Sequence, residues 1–226
     1  MTRAADATAP RRRIWGRHKG KPLRARQRQM LEEFLPRVAL PDGPLSARGQ
    51  FGDDRPLWVE IGFGAGEHLL ALAAANPGVG LIGAEHFVNG VASCLSHLER
   101  AGLGNVRIHH GDAHEMLARL PAGGVARIFL LYPDPWPKAR HARRRFVNPE
   151  GIGLLARALA PGGLFHLATD IPGYVAHAEA QMSDRPEFRP VPRDIARPWE
   201  DWHRTRYEAK ALREGRRPHY LVWQRI

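Results

Sequence analysis

From Leu57 onward the chain repeats one pattern: a short apolar run, a breaker, then a segment of helical length. Leu57–Ile61, Leu81–Ala84, Val106–His109, Ala126–Leu131 and Leu164–Ala168 read as strands. Glu67–Ala75, Val88–Ala101, Ala113–Leu120, Pro149–Leu159 and Tyr174–Met182 read as the helices that follow them. Strands alternating with helices build βαβ units, so the pattern predicts an α/β domain around a mostly parallel sheet. His219–Arg225 alternates weakly and predicts a last strand. Residues 1–56 differ: they are rich in Arg, Pro and Gly, with one short helix expected over Arg24–Leu35 and stopped by Pro36. The division expected is a basic N-terminal arm, partly disordered, over 1–56 and one domain over 57–226.

Charge separates the same two regions. The formal net charge is +11 over 226 residues. Residues 1–28 hold ten Lys or Arg against the single acid Asp6, whereas the rest holds 24 bases and 22 acids. A nearly neutral domain with a basic tail points to a polyanionic partner whose binding weakens with salt. The plainer alternative is a solvated tail that aids solubility. Cys94 is the single cysteine, which excludes a disulfide framework and a thiolate zinc site. No segment has the length of a membrane span and no apolar signal region follows the basic start, so a cytoplasmic, soluble protein is expected.

The first predicted strand runs into Glu60-Ile61-Gly62-Phe63-Gly64-Ala65-Gly66-Glu67. Alternate glycines permit a tight turn and close backbone approach to a ligand at a helix start. The dinucleotide fingerprint needs Gly or Ala where this chain has Glu67, and a carboxylate there repels a pyrophosphate. A cationic, phosphate-free ligand fits better, and S-adenosylmethionine is one. Glu85 ends the second strand and can accept from ribose hydroxyls. Asp112, after the third, serves either as an acceptor for the adenine amino group or as the N-cap of the next helix. Glu60 and Glu85 also admit a role as helix-dipole partners.

The fourth strand ends in Tyr132-Pro133-Asp134-Pro135-Trp136-Pro137-Lys138, followed by Arg140, His141, Arg143, Arg144 and Arg145. Ligands of open parallel sheets bind at the carboxyl ends of strands. A carboxylate, an aromatic ring and a cluster of cations at such an end suit a nucleic-acid base and its phosphates. Trp136 can stack on a base, close the cofactor pocket or fill a core. Thr205-Arg206-Tyr207-Glu208 has the spacing of a capping box opening a helix through Arg213. His109, His110, His114 and His141 form no metal-ligand pattern, and no metal is expected.

Together these segments, with Thr169-Asp170, resemble the tRNA (guanine-N7)-methyltransferases of the bacterial type. The resemblance runs from about Trp58 to the C-terminus, and Gly16-Arg17-His18-Lys19-Gly20 is similar to the family's N-terminal arm. It implies a class I, Rossmann-like S-adenosylmethionine-dependent methyltransferase with a seven-stranded sheet, acting on N7 of a guanosine in the tRNA variable loop. It further implies Glu60, Gly62, Gly64, Gly66, Glu85, Asp112 and Asp134 on the cofactor, with Asp134 also catalytic. Lys138, Asp170 and Thr205 through Glu208 fall on the substrate side, and Arg140, His141, Arg143, Arg144 and Arg145 on RNA. Monomer and homodimer stay open.

Guanine N7 carries an in-plane lone pair and attacks a sulfonium methyl without losing a proton. Alignment and electrostatics, rather than a general base, should then carry the catalysis. Three rivals stand beside this reading. An amino-methylating enzyme tends to place Pro-Pro and an aromatic after its acid, whereas Trp136 follows Pro135 directly. A noncatalytic RNA-binding protein has little need for Glu60, Glu85 and Asp112 together. A nicotinamide oxidoreductase fails on the glycine spacing.

Overall fold

The structure, a computed structural model, describes Gly16 and residues 20–226; most of the basic stretch 1–19 lies outside the described residues. The chain enters through α1 (Ala25–Gln29), a π-helical turn (Met30–Phe34), α2 (Leu35–Val38) and α3 (Ala47–Phe51). Then follow β1 (Leu57–Ile61), α4 (Glu67–Ala75), β2 (Gly80–Glu85), α5 (Val88–Ala101), β3 (Val106–His110), α6 (Ala113–Arg119) and β4 (Val125–Leu131). A 3₁₀ segment (Ala139–Arg144) precedes α7 (Pro149–Ala158), β5 (Leu159–Thr169), α8 (Pro172–Ser183), β6 (Phe188–Pro190), α9 (Arg206–Arg213) and β7 (His219–Arg225).

The strands form one seven-stranded sheet in the order β3-β2-β1-β4-β5-β7-β6. The pairs from β3 through β5 are parallel, and β7 runs antiparallel to both β5 and β6. The order reverses between β1 and β4, and a crevice opens above their carboxyl ends, the usual ligand position in such sheets. All five residues of β1 and all six of β2 are buried, because helices cover both faces.

Alternation along each strand sorts side chains into two cores. Val59, Ile61, Ile128, Leu130, Phe165 and Leu167 pack on one face with α6 and α7. Trp58, Phe129, Leu131 and Ala168 pack on the other with Leu69, Leu72, Leu95 and Leu98. His166 joins that second layer, stacked on Phe129 at 4.7 Å and edge-on to Trp199 at 4.7 Å. Burial, and then the charge of Arg127, pushes its pKa down to about 3.

The N-terminal region holds more helix than its composition predicts. Pro36 does not end the first helix. The turn before it widens, with Leu35 N donating to Met30 O, and the helix continues to Val38. The wider turn accommodates a residue that lacks an N–H and whose ring crowds the preceding turn. Met30 and Val38 are buried against the second core, and Leu40 N donates to Ile108 O at 3.1 Å. β5 starts five residues earlier than expected: Pro161-Gly162-Gly163 reads as a break, yet the strand passes it with a register shift against β4.

Candidate functional site

A cleft of about 330 Å³ lies at the reversal point, over the carboxyl ends of β1, β2 and β4. Its walls include Gly62, Gly64, Glu85, Asp112, Asp134 and Tyr207. Residues that end three different strands and one helix start thus meet in one space.

The glycine turn supplies the floor. Gly64 has φ +59°, and a Cβ built on it would lie 3.5 Å from the Tyr207 ring. Gly66 has φ +82° and caps α4; a Cβ there would lie 2.4 Å from Cys94 Sγ. Both the backbone conformation and the packing against α5 therefore require glycine. Glu85 locks this floor to the next wall. Its Oε2 accepts from Gly64 N at 2.9 Å, and its Oε1 accepts from His86 N and Phe87 N, each at 2.9 Å. A carboxylate offers about four acceptor positions, so these three bonds leave Oε2 able to take one hydroxyl more.

Asp112 does cap a helix: its Oδ1 accepts from His114 N at 2.9 Å and lies 3.0 Å from His114 Nδ1. It lines the cleft as well, so the two roles weighed for it are geometrically compatible. Glu60 is placed elsewhere. Ile61 faces the cleft, so period-two alternation turns Glu60 to the opposite face of β1. There, 3 % exposed, it pairs with His68 Nδ1 at 2.8 Å.

The loop after β4 forms the other wall. Tyr132 and Trp136 both adopt positive φ, +49° and +40°, on either side of Pro133-Asp134-Pro135. Left-handed backbone at bulky residues costs about 1–3 kcal/mol each and needs surrounding support. Asp134 is exposed at the cleft. The backbone at Gly16 passes close to it: a Cβ there would lie 3.2 Å from Asp134 Oδ2 and 2.9 Å from His86 Cε1. Arg144 stacks over the Trp136 ring at 4.8 Å, and His141 meets that ring edge-on at 5.9 Å. Lys138, Arg140 and Arg143 are exposed along the adjoining 3₁₀ segment. Desolvation, and then the charges of Arg144, Arg140, Lys138 and Arg143, hold the His141 pKa below its ordinary value.

Arg145 departs from its neighbours. It is 9 % exposed and turns inward, with Nε donating to Pro135 O at 2.9 Å and Nη2 to Trp136 O at 3.2 Å. Asp170 closes β5 beside the cleft rather than in it, and accepts from Arg216 Nε at 2.5 Å.

In the C-terminal segment, Thr205 Oγ1 accepts from Glu208 N at 3.0 Å, the first half of the expected capping box. The second half is absent, because the Glu208 carboxylate is used otherwise. It accepts from Trp202 Nε1 at 2.7 Å and from Tyr220 OH at 2.6 Å, and the residue is 4 % exposed. Tyr207, 45 % exposed, is thereby held against the glycine turn, with Arg206 Nη2 donating to its hydroxyl at 3.2 Å. His86, Phe87 and His114 also line the cleft and were not predicted. Their signal was proximity: two follow Glu85 directly, and the third stands two positions after Asp112. Among the described residues, no group of three or more His, Cys, Asp or Glu is placed to hold a metal, and no helix is long and apolar enough to cross a membrane.

Comparison with known proteins places this geometry. A family model described as "Putative methyltransferase" matches residues 54–221. Among solved structures, the 16S rRNA methyltransferase KamB superposes with a TM-score of 0.58 at 15 % identity, over 83 % of this chain and 98 % of that one. TrmN from Thermus thermophilus does so with a TM-score of 0.54 at 17 % identity, over 76 % and 45 %. These two carry the fold. Sequence relatives carry more. The tRNA (guanine-N(7)-)-methyltransferase of Roseobacter denitrificans is 50 % identical over 96 % of this chain and 98 % of its own. The protein of that name from Sphingopyxis alaskensis is 50 % identical over 94 % of each, and the one from Zymomonas mobilis 45 % over 95 % of each. Identity at this level, sustained from one end of the chain to the other, leaves one assignment: this protein belongs to the tRNA (guanine-N7)-methyltransferase family.

Proposed function

We propose that this protein transfers the methyl group of S-adenosylmethionine to N7 of a guanosine in the variable loop of tRNA, with Asp134 orienting the base. The observation that carries the reading is the convergence of Glu85, Asp112 and Asp134 on one cleft at the sheet's reversal point. The residues present suit the cofactor. Close backbone approach at Gly64, a remaining acceptor position on Glu85 Oε2 and the helix-capping Asp112 match a ribose hydroxyl and an amino group rather than phosphates. When bound, S-adenosylmethionine supplies an electrophilic methyl group on a positively charged sulfur.

The remaining work falls to this chain. Asp134, exposed at the cleft, can accept from N1–H and N2–H of guanine and so fix the rotation of the ring that aims N7. The same carboxylate offsets the positive charge that the ring gains on methylation. The lone pair of N7 is already free, so no proton has to be removed. Trp136, beside Asp134 and braced by Arg144, offers an aromatic face to a flipped base. Lys138, Arg140, His141 and Arg143 lie where phosphates next to that base would pass. Tyr207 borders the same space with Arg206 beside it at the glycine turn, whereas Thr205 and Glu208 act from beneath it.

Incubation with methyl-labelled S-adenosylmethionine and unmodified tRNA, followed by nucleoside analysis, tests the proposal. Label in 7-methylguanosine of the variable loop is the expected result. Label in another nucleoside would overturn the substrate assignment, and binding of the cofactor without transfer would overturn catalysis.

A further inference from the structure

Four arginines follow the site loop, and the sequence offers no ground for treating one of them differently. The structure does. Arg145 lines the cleft at only 9 % exposure, and its guanidinium joins the loop after β4 to the first turn of α8. Nε and Nη2 donate to the carbonyl oxygens of Pro135 and Trp136, and Nη1 reaches Gly173 O at 3.4 Å. The guanidinium carbon stands 5.5 Å from the centre of the buried Tyr174 ring. Its backbone is held too: Arg145 N donates to Ala142 O at 3.0 Å, and Asn148 Nδ2 donates to Arg145 O at 2.7 Å. Asn148 in turn caps α7 by accepting from Gly151 N at 2.9 Å. The cation is thus fixed at its backbone by a helix start and at its tip by the loop after β4 and the first turn of α8.

We infer that Arg145 is a positioning residue that holds the Asp134–Trp136 loop in its productive shape, and not one of the phosphate contacts. The inference rests on the proposed role of Asp134. Trp136 sits at φ +40°, a conformation that a bulky residue keeps only under external restraint. Arg145 supplies the restraint at both carbonyls that flank this residue's nitrogen and carbon, Pro135 O and Trp136 O. Nη1 ties the same loop to Gly173 in the first turn of α8, three residues after Asp170, so one side chain couples the Asp134 loop to the start of the helix that follows β5. A planar fork with donors in fixed directions can meet three separate carbonyls; a lysine ammonium cannot reproduce that geometry.

The test pairs Arg145→Lys and Arg145→Gln with Arg140→Gln, and reads kcat, KM for tRNA and the salt dependence of tRNA binding. Loop misplacement of about 1 Å costs on the order of a hundredfold in rate. Both Arg145 variants should therefore lose about that much in kcat at saturating tRNA, with the slope of log Kd against log salt unchanged. Arg140→Gln should reduce that slope by about one phosphate contact. A smaller slope in Arg145→Gln, or a loss confined to KM for tRNA with kcat at the wild-type value, would overturn the inference. Should the variants fail to fold, the wild-type protein still decides. The Arg145 Nε–H resonance should be protected from exchange before tRNA is added and unmoved after it; an exposed resonance that shifts on binding would mark a phosphate contact. Normal turnover in Asp134→Ala would instead defeat the reading of the loop, while the salt slope of the Arg145 variants would be untouched by that result.

Discussion

The two walls of the cleft are built on different principles. On the wall proposed for the cofactor, Glu85 spends three of about four acceptor positions on the backbone N–H groups of Gly64, His86 and Phe87, and Asp112 accepts from the backbone N–H of His114 two residues on. Their positions follow from strand ends and helix starts, so the wall is rigid by construction. On the wall proposed for the substrate, Asp134 stands exposed between two prolines, with left-handed residues before and after it. Its support comes from a distance, through Arg145 and the Arg144–Trp136 stack. A cofactor common to a large fold class can be held by local backbone geometry. A base that enters from a folded RNA needs a wall assembled from several loops.

That contrast is open to attack at its exposed end first. Asp134→Ala should leave the fold and the thermal midpoint intact, because the residue is exposed at the cleft. It should reduce methyl transfer by about a hundredfold or more, the usual cost of removing one preorganised electrostatic group. Turnover within a few fold of wild type would remove Asp134 from the chemistry. Glu85→Gln should behave in the opposite way. An amide has to aim NH₂ at backbone donors on one side, which breaks charge-assisted bonds worth about 1.5–3 kcal/mol each. Cofactor affinity by calorimetry should fall about ten- to a hundredfold, with the thermal midpoint lowered as well. Equal affinity with unchanged stability would show that the first wall is not held by this carboxylate.

The same contrast explains what could be read in advance. The strands were legible because parallel strands covered on both faces are short apolar runs, and the glycine turn because its spacing has few other uses. Glu60 was half legible. The alternation that brings Ile61 to the cleft turns Glu60 to the other face of β1, where its partner His68 lies, so its place follows from the period and its partner only from the fold. β6 was missed because three residues ending in Pro190 carry no periodicity, and α3 because five residues after Ser46 show no apolar stripe. Pro36 was read as a stop because a widened turn leaves no mark in the sequence. Arg145 and Glu208 were unreadable for a deeper reason: their partners at Gly173 and Tyr220 are brought to them only by the tertiary fold.

Glu208 offers a test of support rather than of chemistry. Its carboxylate joins Trp202 and Tyr220 beneath the segment that presents Tyr207 to the cleft. In Glu208→Gln, the amide oxygen can serve Trp202 Nε1 only if its NH₂ turns to Tyr220, whose hydroxyl must then accept instead of donate, so both charge-assisted bonds are lost in a buried site. Unfolding by urea should show a loss of about 1–3 kcal/mol. Activity, measured well below the melting temperature, should fall less than in Asp134→Ala. A variant as stable as wild type but as inactive as Asp134→Ala would assign Glu208 to direct substrate contact and erase the distinction between wall and support.

The smallest expected effect concerns protons at the RNA-facing edge. In the free protein, desolvation and the charges of Arg144, Arg140, Lys138 and Arg143 depress the His141 pKa, so the ring stays neutral further into the acidic range than an isolated histidine. Phosphates brought against the same cluster reverse that field and raise the pKa in the complex. A group whose pKa is higher in the complex takes up a proton on binding, so affinity should grow as the pH falls through the bound-state value. Each unit of difference between the two states is worth up to tenfold at the acidic limit. At fixed ionic strength, wild-type affinity for tRNA should therefore rise severalfold between about pH 7.5 and pH 6, the range in which histidine titrates. His141→Gln should lose that part of the pH dependence while keeping its affinity at the alkaline end. Superimposable pH profiles for the two proteins would move His141 off the RNA surface and narrow the second wall to Asp134, Trp136 and the arginines.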